Sequence, residues 1–98
     1  MRITTRIEGP LAEGGAAARL QERMRWAFGT YASQIQRVTL RASVDPELRA
    51  TVLVRLRSAE TVELSADGSS LDEVVEFLLG RARSAVARRL AAEPLGAG

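Results

Sequence analysis

A two-layer α+β sandwich is the fold class this sequence predicts, in the order β-α-β-β-β-α, with a four-stranded sheet covered on one face by two helices. Three observations carry the prediction. Four short stretches alternate apolar and polar residues with period two, which is the pattern of half-buried strands. Two longer stretches repeat their apolar residues at i, i+3 and i+4, the pattern of a helix with one buried stripe. The chain has 98 residues, and a chain of this size buries roughly 60–70% of its unfolded surface, enough for one two-layer core.

The elements follow in order. Ile3, Thr5 and Ile7 alternate with Arg2, Thr4, Arg6 and Glu8, which predicts a first strand. Gly9, Pro10, Gly14 and Gly15 then break it. From about Ala16 to Tyr31 the period becomes helical, with Leu20, Met24, Ala27, Phe28 and Tyr31 on one face. Gly29 weakens the last turn. Val38, Leu40, Ala42 and Val44 alternate with Arg37, Thr39, Arg41 and Ser43, a second strand. Asp45-Pro46 is a turn pair. Val52, Val54 and Leu56, then Val62, Leu64 and Ala66, give the inward sets of a third and a fourth strand. The short connection at Ser58–Glu60 predicts a hairpin between them. Three successive strands with one apolar side fit an antiparallel sheet with one covered face. A right-handed crossover through the first helix makes the first two strands parallel.

The stretch SSLDEVVEFLLGRARSAVARRL, residues 69–90, supplies the second helix. Ser69 or Ser70 caps it, and Glu73 completes a capping box with Ser70. Leu71, Val75, Leu78, Leu79, Ala82, Val86 and Leu90 form its stripe. Pro94 and two glycines end it near Glu93. The expected organisation is one domain over residues 1–93 and a flexible tail over 94–98.

Composition excludes most chemistry. The sequence contains no cysteine, histidine or lysine, and all fourteen basic residues are arginine. That removes imidazole- and thiolate-based nucleophile systems, His/Cys metal sites, Schiff-base lysines and the lysine of a P-loop. No carboxylates fall in a catalytic pattern, so the expectation is a protein that is not an enzyme and takes no cofactor or metal. No apolar run approaches the roughly 20 residues of a membrane span. The alternating N-terminus does not resemble a secretory signal, and the cytoplasm is the expected location. The pI near 10.4 overstates the charge, because the formal net charge is only +2. It reflects the absence of groups that titrate between carboxylates and guanidinium, so the clustering of arginines is the better guide to a partner.

The arginines cluster in three places. On the second helix Arg81 and Arg88 share a side with Ser84 and Phe77, away from the apolar stripe, and Arg83 and Arg89 flank the stripe. The first helix offers Arg19, Arg23 and Trp26 at i, i+4 and i+7. Arginines neutralise phosphates, and exposed rings stack on unpaired bases, so two such helix faces side by side would make a nucleic-acid surface. A purely structural reading accounts for the same residues. Acids Asp72, Glu73 and Glu76 at the front of the second helix and arginines at its back complement the helix dipole. Arg81 then lies across Phe77 as a cation–π contact, and Trp26 folds back on the core edge. The third cluster, Arg37, Arg41, Arg55 and Arg57, points out from the uncovered sheet face together with Glu63; cross-strand ion pairs are the simplest expectation, and a nucleic-acid surface is the lesser alternative.

The element order, FGTYASQIQR followed by VTLRASVDPE, and ADGSSLDEVVEFLLGRARSAVARRL together resemble the family of ribosome hibernation-promoting factors and ribosome-associated inhibitors. The resemblance spans about Arg2 to Leu90 and rests on element order and spacing. In the short branch an aromatic ends the first helix, an Ile-x-Arg-Val strand follows, and the last helix opens with Thr-Leu-Asp-Glu-Ala. Here those positions are Tyr31, Ile35-Gln36-Arg37-Val38 and Ser70-Leu71-Asp72-Glu73-Val74. The resemblance implies a fold like a double-stranded-RNA-binding domain with an added first strand. It implies a non-enzymatic factor that binds the small ribosomal subunit through rRNA, not DNA or membrane, and inhibits translation in idle ribosomes. It places rRNA contacts at Arg81 and Arg88, with Arg89 beside them; the correspondence is looser in the first helix, where helix geometry adds Arg19 and Arg23, and the same geometry offers Trp26 and Phe77 as stacking residues. The sequence departs from the family in its early helix end, RRLAAEPLGAG, its low net charge, and Ser70 and Asp72 where one branch carries aspartate and tyrosine. Long members pair ribosomes through a C-terminal domain that these 98 residues do not include, so unaided ribosome pairing is not expected of them. The alternative is a protein-interaction or dimerisation module of the same fold, using its outer sheet.

Overall fold

The computed structural model describes residues 1–44 and 47–92. The expected Asp45-Pro46 turn and the 94–98 tail lie outside the described residues. The elements run β1 (Arg2–Ile7), a 3-10 segment (Gly9–Gly15), α1 (Ala16–Phe28), a second 3-10 segment (Gly29–Gln34), β2 (Ile35–Val44), β3 (Leu48–Leu56), β4 (Thr61–Gly68) and α2 (Leu71–Ala92). The sheet order is β1-β2-β3-β4. β1 pairs parallel with β2, and the other two pairs are antiparallel. The predicted topology is therefore the observed one.

Alternation sets which face of the sheet is covered. Val38, Leu40 and Ala42 of β2, Ala50, Val52 and Val54 of β3, and Val62 of β4 are buried beneath the helices. They form one cluster with Leu20, Met24 and Phe28 of α1 and Val75, Leu78, Leu79, Ala82 and Val86 of α2. Val74, outside the predicted stripe, joins them. Ile3 and Ile7 of β1 and Leu64 and Ala66 of β4 are only partly buried, because each belongs to an edge strand with one neighbour. The two layers are thin: the shorter principal extents of the Cα trace are 21 and 18 Å. Among the described residues, no helix is long and apolar enough to cross a membrane.

Three local features differ from, or sharpen, the sequence expectation. The α-helix ends at Phe28, not Tyr31, and continues through Gly29 as a 3-10 segment; Tyr31 still packs partly buried against the core. Gly14 and Gly15 hold φ of 69° and 71°, a left-handed conformation that costs an L-residue with a Cβ about 1–2 kcal/mol, so this pair turns the chain into α1. Gly68 ends β4 directly under α2: a Cβ there would collide with the Val74 side chain. At the α2 start only half of the expected capping box forms, with no return bond from the Glu73 carboxylate to the Ser70 backbone. The Ser70 hydroxyl accepts from the Glu73 backbone N–H across a long 3.5 Å, with Asp72 and Glu73 in the first turn and Arg89 in the last.

Candidate nucleic-acid interface

The two helices lie side by side and run in the same direction. Arg19 meets Asp72 at 3.2 Å, and one turn on Arg23 meets Glu76. Both helices advance by four residues between the two ion pairs, so the ladder is parallel. Its next rung is a groove rather than a pair. Trp26 and Ala27 of α1 face Leu79, Gly80 and Arg83 of α2 across it. Trp26 is 82% exposed; it does not fold back on the core. Gly80 has nothing within 4 Å of a would-be Cβ, so the groove floor there is bare. Arg83 and Gly80 were not among the residues expected at the interface. The signal was present in the spacing: Asp72, Glu76, Gly80 and Arg83 follow one edge of α2, matching Arg19, Arg23 and Trp26 on α1.

The second cluster lies further around α2. The Arg81 guanidinium sits 5.4 Å from the Phe77 ring centre, and Phe77 is 54% exposed. Ser84 and Arg88 are exposed on the same side. At 100° per residue, Arg81 and Arg88 stand about 120–140° around the helix from Glu76, with Phe77 and Ser84 between. The helices therefore present a band, not a single stripe, running from the Trp26 groove across Phe77 to Arg81 and Arg88. Arg89 points elsewhere: it reaches Glu60 beside the β3–β4 turn at 2.7 Å. Of the five arginines expected to meet RNA, Arg19, Arg23 and Arg89 are thus held by carboxylates, while Arg81 and Arg88 make no ion pair among the described residues. Exposed ion pairs of this kind contribute about 0–1 kcal/mol, so a phosphate can displace the acid at little cost.

The uncovered sheet face differs from expectation. Register brings Arg2, Arg37 and Arg55 into one row across β1, β2 and β3, and Arg6 and Arg41 into a second. Glu63 lies opposite Leu53, not opposite an arginine. The one cross-strand ion pair on this face among the described residues is Arg49–Asp67 at 3.1 Å. Arg57 instead donates to the Ser33 carbonyl at 2.9 Å. Cross-strand ion pairing therefore does not explain these arginines.

The residues brought together attract anions and offer rings. They suit phosphate neutralisation and base stacking. No protein-family model and no curated protein matches the sequence. Solved structures do match the fold. A ribosomal subunit interface protein from Coxiella burnetii superposes with a TM-score of 0.76 at 14% identity, over 93% of this chain and 99% of that one. The Protein Y N-terminal domain of Thermus thermophilus superposes with a TM-score of 0.74 at 16% identity, over 90% and 98%. The resemblance read from the sequence is borne out at the level of the fold.

Proposed function

We propose that this chain is a non-enzymatic ribosome-associated factor that binds small-subunit rRNA with its helix layer and holds idle ribosomes inactive by occupying a site needed for translation. The observation that carries this reading is the pairing of two facts. The fold is shared, over nearly the whole of both chains, with a protein described as a ribosomal subunit interface protein. The helix layer also offers a band of arginines and exposed rings, Arg83, Trp26, Phe77, Arg81 and Arg88. Guanidinium groups here take phosphates by charge-assisted hydrogen bonds. Trp26 and Phe77 are placed to stack on unpaired bases. Arg19, Arg23 and Arg89 join by exchanging carboxylate for phosphate. Binding of this kind needs no bond-making, and the location it requires is the cytoplasm.

The dimerisation alternative draws no support from the outer sheet. Two copies meeting there would bring together two faces that each carry more arginines than acids, and like charges brought together destabilise a contact.

Co-sedimentation with purified small subunits tests the proposal. The wild-type protein is expected to pellet at physiological salt, with a log–log salt slope of several units, about 0.7–0.9 per phosphate contact. Reversing both Arg81 and Arg88 to Glu is expected to abolish pelleting while the circular dichroism and thermal midpoint stay near wild type, because both side chains are exposed. Retained pelleting would show that these residues are not the contact, and no pelleting of the wild type would refute the reading.

A further inference from the structure

From the uncovered face of the sheet we infer a second RNA-binding surface, a lattice of five arginines that takes the phosphodiester backbone without reading its bases. The inference deepens the proposed function, since it gives the same ribosome-bound protein a second RNA contact on its opposite side.

Arg37 lies between Arg2 and Arg55 across three strands, and Arg6 lies beside Arg41 across two. Strands lie about 4.8 Å apart, and four residues of strand advance about 13 Å. The lattice therefore consists of two cationic rows about 13 Å apart, the longer spanning about 10 Å. All five arginines are exposed, and none makes an ion pair with a described residue. Near the second row, Arg6, Arg41 and Arg49 line one depression with Glu8, Ser43 and Thr51; Asp67 holds Arg49, so three arginines stand against one further carboxylate there, with hydroxyl groups beside them.

Like charges directly opposite each other weaken a sheet. The free protein thus carries a repulsion that pairing with acids would remove, as it has been removed between the helices. A bound polyanion relieves it. The kind of polyanion follows from what the face lacks. It has no aromatic residue, so it cannot stack bases. Its outward apolar residue in the central row is Leu53, opposite Thr39 and Glu63, which is too little for the desolvated centre of a protein interface. Repeated charge without an apolar anchor fits a phosphate backbone, the sequence-independent part of nucleic-acid recognition.

The test uses the full chain and a mixed-sequence RNA duplex of about 20 base pairs, with fluorescence anisotropy across about 50–200 mM salt. Replacing Arg37, Arg41 and Arg55 together by Gln is expected to lower the salt slope by about 2–3 units. The same replacement, or Arg37→Gln alone, is expected to raise the thermal midpoint of the free protein by about 1–5 °C, because it removes repulsion. A structural role for these arginines would lower that midpoint instead. Wild-type affinity and slope in the triple variant would overturn the inference. So would failure of the wild type to bind the duplex, or tighter binding to poly-glutamate than to the duplex, which would mark an acidic polypeptide as the partner. Duplex binding that the triple variant loses, in a protein that does not pellet with small subunits, would support the sheet surface while refuting the ribosomal reading.

Discussion

The helix layer and the sheet face carry similar numbers of arginines but arrange them in opposite ways. Between the helices each arginine of the ladder has an acid one rung across, Arg19 with Asp72 and Arg23 with Glu76. On the sheet, arginine faces arginine. The first arrangement is accounted for by stability alone, since it docks α1 on α2 in one register. The second costs stability and so calls for an explanation outside the folded chain. Charge clustering in a sequence is therefore a poor guide by itself; whether the structure supplies the counter-charge decides what a cluster is for.

Both faces rest on one core, and Phe28, at the end of α1, is fully buried in it. Phe28→Ala is expected to cost about 3–5 kcal/mol, read as a lowered denaturant midpoint, and to abolish RNA binding at both faces together. Binding retained at one face would mean that the layers fold independently. A smaller change sharpens the contrast. Neutralising the ladder acids, Asp72→Asn with Glu76→Gln, is expected to cost about 1–2 kcal/mol through lost pairs and lost charge at the α2 start. It should also tighten subunit binding, by making the helix layer resemble the sheet in having unpaired arginines. Unchanged affinity, measured by co-sedimentation, would show that Arg19 and Arg23 serve only to dock the helices.

The smallest change addresses the groove. Gly80→Ala meets nothing within 4 Å and is expected to stabilise the protein by about 0.5–1 kcal/mol, measured by thermal unfolding. If subunit binding falls while stability rises, the bare floor beside Trp26 is used by a ligand. If binding is unchanged, the glycine is a vacancy the interface does not need.

The fold was legible because its signals are local. Period-two alternation places the inward set of the strands except at the end of β2, where Val44 is exposed and not inward, and the stripe of α2 is nearly complete, missing Val74. The end of α1 was misplaced because Tyr31 keeps helical spacing while its backbone winds as a 3-10 segment after Gly29. The site was less legible because its signals are not local. Spacing put Arg19, Arg23 and Trp26 on one face, but only the packing of α1 on α2 shows that Asp72 and Glu76 occupy the first two and that Arg83 stands beside the third. In the same way, alternation sent Arg37, Arg41 and Arg55 outward. It could not show that Arg37 falls between Arg2 and Arg55, because that depends on the register of a parallel pair and a hairpin jointly.

The thinness of the molecule has a consequence for how it senses its surroundings. Its smallest extent is 18 Å. At physiological ionic strength a charge is screened over about 8 Å, and at 0.01 M over about 30 Å. In dilute salt the fields of the two faces overlap in the solvent around the molecule, and an approaching polyanion meets a single weakly positive particle. At cellular salt the faces are electrically separate, and each presents its own local field. Measurements at low salt would then blur two surfaces into one, and the ionic strength of the cell is the condition under which this chain has two sides.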